Sequence, residues 1–141
     1  MQSIESIKTL FVSRKMKVTL QRIAVYQAME TLMHAFPEDV ITEVRKTHPT
    51  ITIGTIYNVL ESLVENKLLT KVMTTDSKMY FDIRVDEHHH LYSLSDGRIE
   101  DFDDTFLTEM IRDYLHKKNP DNFEVEKIHV QLLGNFKDKN K

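Results

Sequence analysis

Up to residue 83 the apolar residues recur first at helical spacing and then in alternation, and that order leaves few folds open. Ile4, Ile7, Leu10 and Phe11 give a short helix ending near Lys15. Thr19 is placed to cap a second helix from about Leu20 to Met33. Pro37 opens a third, carrying Val40, Ile41 and Val44, which stops near His48-Pro49. Thr52 can cap a fourth that buries Ile53, Ile56, Tyr57, Leu60, Leu63 and Val64. Residues 68–75 and 78–83 then read as strands around a turn at Asp76-Ser77. Helices followed by a two-stranded ribbon predict a winged helix-turn-helix over residues 1–83.

From residue 84 the pattern changes. Residues 89–94 and 98–102 flank Ser95-Asp96-Gly97, a hairpin signal. A helix is expected over about 104–117, ended by Asn119-Pro120-Asp121, and 123–133 reads as a last strand before a charged tail. The fold class is therefore α+β, with residues 84–141 forming a small α/β domain. So short a stretch buries little apolar surface by itself, so a homodimer formed through its strands is expected. A hydrophobic content of 40% supports a packed core, and three glycines and three prolines argue against disorder. No apolar run reaches membrane-span length and the first residues lack signal-peptide character, so a soluble cytoplasmic protein is expected.

Charge and cysteine content narrow the chemistry. Residues 1–22 hold Lys8, Arg14, Lys15, Lys17 and Arg22 against Glu5 alone, whereas 99–113 are strongly acidic. A basic N-terminal part and an acidic centre fit a DNA-facing module joined to a cation-facing one. With no cysteine, thiolate catalysis, thiol redox sensing and any cysteine-bound structural zinc are excluded.

His88-His89-His90 then becomes the main chemical signal. On a strand His88 and His90 share a face while His89 points away. A hairpin loop of even length, Ser95-Asp96 or Asp96-Gly97, pairs residues whose numbers sum to an odd total. That puts Asp101 on the face of His88 and His90; a three-residue loop would flip it. Asp82 ends the ribbon and His34 ends the second helix, where the first half can meet the second. His34, Asp82, His88, His90 and Asp101 thus form a candidate metal set bridging the halves. Three imidazoles with two carboxylates suit Fe2+, Mn2+ or Zn2+, and the carboxylates neutralise a divalent ion. An ion that favours the closed arrangement shifts the population by its differential affinity. If closure spaces two DNA-reading helices in a dimer, the metal acts as a corepressor.

On the helix opening at Thr52, Thr55, Tyr57 and Asn58 lie where side chains reach base edges in a major groove. A tyrosine ring suits the thymine methyl, and Asn58 can bond to adenine. Arg22 is placed to hold a phosphate, and Lys15 or Lys17 to enter a narrow A·T-rich minor groove. The expected partner is double-stranded DNA carrying an A·T-rich inverted repeat.

Taken in order, several runs resemble the ferric uptake regulator family. They are Lys17-Val18-Thr19-Leu20-Gln21-Arg22, Thr55-Ile56-Tyr57-Asn58-Val59-Leu60, Tyr80-Phe81-Asp82, His88-His89-His90 and Gly97-Arg98-Ile99-Glu100-Asp101-Phe102. The resemblance covers about residues 10–134. It implies a homodimeric, metal-dependent transcriptional repressor with a winged-helix domain and a dimerisation domain, not an enzyme. His34, Asp82, His88, His90 and Asp101 match the family's regulatory metal positions, and Tyr57 the best base-reading position. Aspartates at 82 and 101 look most like the peroxide-regulator branch, in which iron-catalysed oxidation of ligand histidines ends DNA binding; His34 and His88 match those histidines. An iron, manganese or zinc uptake regulator without peroxide sensing is the alternative.

The sequence departs from that family twice. Where most relatives carry two Cys-x-x-Cys pairs, this chain has Ser93 and Asp96, then Phe136 and Lys139. The C-terminal strand must be held by packing instead, with Phe136 as the apolar substitute. A second metal site could draw on Glu87 and His89, but Thr108 stands at its glutamate position. His129 lies one residue from its histidine position, where strand alternation points it away. Outside the family, a metalloenzyme would need a substrate pocket and a placed acid or base, for which there is no motif. A metal-independent winged-helix binder would not respond to added Mn2+ or Fe2+.

Overall fold

The computed structural model describes residues 1–74, 77–118 and 123–137, which fall into two compact units, Met1–Val85 and Asp86–Lys141. The first unit contains α1 (Ile4–Ser13), α2 (Leu20–Leu32), β1 (His34–Ala35), α3 (Pro37–Thr47), α4 (Ile53–Glu65), β2 (Thr70–Met73) and β3 (Met79–Asp82). Local chemistry sets the helix starts. Ser3, Thr19 and Thr52 each accept a backbone N–H from the first turn of the helix they precede. Pro37 opens α3, where the missing N–H costs nothing.

The apolar faces meet in one core built around Ile7, Phe11, Val25, Met29, Val40, Ile56, Leu60, Leu63 and Phe81. Burying each such side chain stabilises the fold by about 1.5–3 kcal/mol before entropy is counted. The sheet has the order β1-β3-β2 and both pairings are antiparallel. Helices and ribbon together make the expected winged helix-turn-helix; Asp76 of the expected turn lies outside the described residues.

Position 34 differs from the expectation. The second helix stops at Leu32, and Met33 adopts φ 68°, ψ −59°, a conformation an L residue rarely holds. That turn takes His34 off the helix and onto β1. The Met33 carbonyl accepts the N–H of Ile83 at 3.0 Å, which ties the turn to the end of β3. A two-residue strand leaves no periodic trace in a sequence, and only the paired chain reveals it.

The second unit contains β4 (His89–Ser93), β5 (Ile99–Phe102), α5 (Thr105–Lys118) and β6 (Gln131–Gly134). Its sheet has the order β5-β4-β6, with β4 antiparallel to β5 and parallel to β6. The hairpin register is Tyr92 opposite Ile99 and His90 opposite Asp101, as an even loop requires. Gly97 takes φ 75° in that loop, a conformation glycine adopts at no steric cost. The last strand is shorter than the 123–133 expected, and residues 123–130 form no strand. The interior is largely polar: His88, His89, His90, Ser93 and Thr108 are buried beside Tyr92 and Ile128. The C-terminal strand is held by its ladder with β4 and by Phe136, whose ring lies 3.8 Å under the Arg98 guanidinium. Lys139 and the expected helix stop at Asn119-Pro120-Asp121 lie outside the described residues. No described helix is long and apolar enough to cross a membrane.

Candidate metal centre and nucleic-acid interface

The structure gathers the candidate ligands as two sets, one in each unit. In the first unit β1 pairs with β3 so that His34 lies directly opposite Asp82. His34 Nε2 is 3.6 Å from Asp82 Oδ2, while the other carboxylate oxygen accepts the Arg84 N–H at 2.9 Å. Asp82 is only 1% exposed. A buried carboxylate costs several kcal/mol unless a cation or hydrogen bonds compensate it. A cation between Asp82 and His34 would add to that compensation.

In the second unit Asp101 Oδ1 faces two imidazoles, His88 Nε2 at 3.4 Å and His90 Nε2 at 3.6 Å. His88 Nδ1 sits 2.7 Å from the Asp86 carbonyl. A carbonyl only accepts, so the neutral ring carries its proton on Nδ1 and presents the Nε2 lone pair toward Asp101. The other ring is oriented by a neighbour: His90 Nδ1 lies 2.7 Å from Nε2 of His129. Partial burial, then the nearby His90, hold the His129 pKa down to about 4. His129 is therefore neutral at physiological pH and able to accept a proton-bearing nitrogen.

These spacings suit a divalent ion. Separations of 3.4–3.6 Å are too long for strong hydrogen bonds. Two donors each about 2.1 Å from one ion, at octahedral or tetrahedral angles, stand roughly 3.0–3.4 Å apart. Nitrogen and carboxylate donors of this kind fit Fe2+, Mn2+ or Zn2+.

The residues considered for a second site are engaged otherwise. Val130 N–H donates to His89 Nδ1 at 3.0 Å, so His89 Nε2 carries the proton and donates it to Thr108 Oγ1 at 2.6 Å. Thr108 in turn donates to the Asp104 carbonyl. Glu87 accepts Ile128 N–H and Arg112 Nη2, each at 2.9 Å. The backbone bond from Ile128, ahead of the Arg112 charge, lowers its pKa below the ordinary carboxylate value. Both nitrogens of His89 and both oxygens of Glu87 are thus committed to holding the unit together.

Sequence reasoning missed His129. Alternation along an assumed strand pointed it away, yet the chain is not a strand there. Val130 gives its N–H to the His89 ring, while its carbonyl accepts the N–H of His90. No spacing in the sequence signals that exchange.

In the first unit α4 presents the expected reading face. Ile56, Val59, Leu60 and Leu63 turn inward, while Tyr57 is 38% exposed and Asn58 is exposed too. Tyr57 is thus a surface residue and not the core aromatic its helical spacing suggested. Thr55 is half-buried, its hydroxyl bonded to that of the capping Thr52 at 2.9 Å. Lys15 and Lys17 are exposed on the turn before α2. Arg22 is less available than expected: its guanidinium donates to the Lys17 carbonyl at 2.7 Å and so fixes that turn.

Comparison with known proteins agrees with this geometry. The model of the ferric uptake regulator family matches residues 13–133. A ferric uptake regulation protein 1 of Mycolicibacterium fortuitum is 34% identical over 92 residues, 64% of this chain and 57% of that one. The transcriptional regulator FurA of Mycobacterium tuberculosis is 32% identical over 104 residues, 73% of this chain and 71% of its own. A crystal structure of a Campylobacter jejuni peroxide stress regulator superposes with a TM-score of 0.70 at 23% identity, covering 99% of both chains.

Proposed function

We propose, from the premise that the chain belongs to the ferric uptake regulator family and is a metal-dependent DNA-binding transcriptional repressor, that it senses peroxide through one regulatory ion per subunit. The ligands are His34 and Asp82 from one unit and His88, His90 and Asp101 from the other. One ion taking both sets ties the units together, and the bound arrangement is the one that grips DNA. The observation that carries this reading is the paired orientation: each carboxylate already faces the imidazoles with which it would share the ion.

The repressor acts as a homodimer on an A·T-rich inverted repeat. Exposed Phe106, Met110 and Tyr114 at four-residue intervals on α5, with Leu132 and Leu133 on β6, support a dimer interface in residues 84–141. In residues 1–83, Tyr57, Asn58 and Thr55 read base edges from α4. Lys15, Lys17 and Arg22 approach the backbone or minor groove.

Ferrous iron held by these residues would reduce hydrogen peroxide beside its imidazole ligands, one peroxide oxygen going to a ring carbon and the other leaving as water. His34 or His88 would be the ring that gains the oxygen, and the oxidised ring would no longer offer the ion its nitrogen lone pair. The aspartates at positions 82 and 101 support the peroxide reading. The identity to ferric uptake regulators favours a second reading, a metal-uptake regulator indifferent to peroxide.

Anaerobic DNA binding titrated with Fe2+ and Mn2+, then repeated after peroxide, separates the readings. The iron-loaded protein should release DNA and show one added oxygen on the peptide holding His34 or His88, while the manganese-loaded protein holds its DNA. Release without metal dependence, or DNA binding untouched by peroxide with no mass gain, rejects the peroxide reading.

A further inference from the structure

We infer that His129 is a positioning residue for the metal centre, whose Nε2 accepts the Nδ1 proton of His90 and so turns the His90 Nε2 lone pair toward Asp101. The inference rests on the reading of His90 as a metal ligand. Its geometry is a 2.7 Å nitrogen–nitrogen contact, with the two rings 4.9 Å apart and nearly perpendicular at 79°. A ligand imidazole held through its second nitrogen has its tautomer and ring plane fixed before the ion arrives, and it becomes more basic.

The backbone around His129 is built to deliver that side chain. Ile128 N–H donates to Glu87, which Arg112 holds in place. Val130 N–H donates to His89 and its carbonyl accepts from His90. Three bonds therefore clamp residues 128 and 130 against the segment from Glu87 to His90, and the residue between them faces the His90 ring. The cluster of Glu87, His89, Thr108 and Arg112 gains a role by this reading: it is the scaffold that aims His129.

An imidazole rather than a carboxylate behind His90 also has a consequence for charge. Asp82 and Asp101 together neutralise one divalent ion. A carboxylate behind His90 would add a further negative charge, whereas an imidazole accepts the same proton without one. The His129 ring is partly open to solvent, so it can be replaced with little damage to packing.

The test uses the full chain with Mn2+, whose free-ion electron spin resonance signal reports affinity. His129→Leu removes the acceptor, and His129→Gln keeps an oxygen at the reach of Nε2. The expected result is binding weakened about 10–100-fold in the leucine variant and restored to within a few-fold of wild type in the glutamine variant. Nitrogen-15 spectra of the metal-free proteins should show the His90 proton on Nδ1 in the wild type and glutamine variant, but moved toward Nε2 in the leucine variant. Equal Mn2+ affinity in wild type and His129→Leu, or equal losses in both variants, overturns the assignment. Wild-type protein that binds no Mn2+ overturns the metal reading itself, and this assignment with it.

Discussion

At the scale of single residues, the second unit uses carboxylates in two opposite ways. Asp101 faces two imidazoles at distances that an ion held between them would span. Replacing it by alanine should weaken Mn2+ binding more than about 100-fold, beyond the range expected of outer partners such as His129. Equilibrium dialysis with Mn2+ measures this, and a loss of under tenfold would remove Asp101 from the ligand set. Glu87 is the contrast, a carboxylate whose charge is spent on structure. Its pKa lies below the ordinary 4.5, chiefly because Ile128 N–H binds the charged form. A depressed carboxyl contributes stability that is complete above the unfolded value and is lost as pH falls through the folded one. Chemical denaturation followed from pH 6 to about 3 should therefore show a steeper acid loss in wild type than in Glu87→Gln. Parallel curves would mean that the bond from Ile128 does not distinguish the folded state.

Elements differ in how openly the chain announces them. The fourth helix rests on Thr52, whose hydroxyl accepts Thr55 N–H at 3.2 Å. Thr52→Ala should cost about 1 kcal/mol of stability, read from denaturant midpoints, and should loosen DNA binding because Thr55 and Tyr57 ride on that first turn. Stability unchanged within a few tenths would show the cap to be dispensable. Such helices were legible because cap, apolar period and stop all agree over ten or more residues. The hairpin register was legible too, since parity fixed His90 opposite Asp101 once the loop was taken as even. What stayed hidden had no period to betray it. Strand β1 has two residues and depends on the strained turn at Met33. Residues 128–130 alternate apolar and polar as a strand would, yet the N–H groups of Ile128 and Val130 go to the Glu87 and His89 side chains. The five candidate ligands were proposed from residue type and position; the contact from His129 to one of them could not be read that way.

For the whole molecule, the two units bury different things. The first has an apolar core that its own helices complete, whereas the second buries histidines and leaves Phe106, Met110, Tyr114 and Leu132 exposed. Binding of a second copy or of an ion to the folded form would stabilise such a unit by mass action. The proposed coupling then obeys a strict condition. If one ion joins ligands from both units and that arrangement is the one that grips DNA, the factor by which metal tightens DNA must equal the factor by which DNA tightens metal. A coupling of 1–3 kcal/mol, about 5–150-fold, is the ordinary range for such linkage. Mn2+ titrations with and without operator DNA, set beside DNA titrations with and without Mn2+, should return the same ratio within error. They should do so at one fixed ionic strength, because the DNA contacts proposed for Lys15, Lys17 and Arg22 would make affinity fall with salt. A metal affinity untouched by DNA would place the ion's action away from the DNA-binding equilibrium, whatever its ligands.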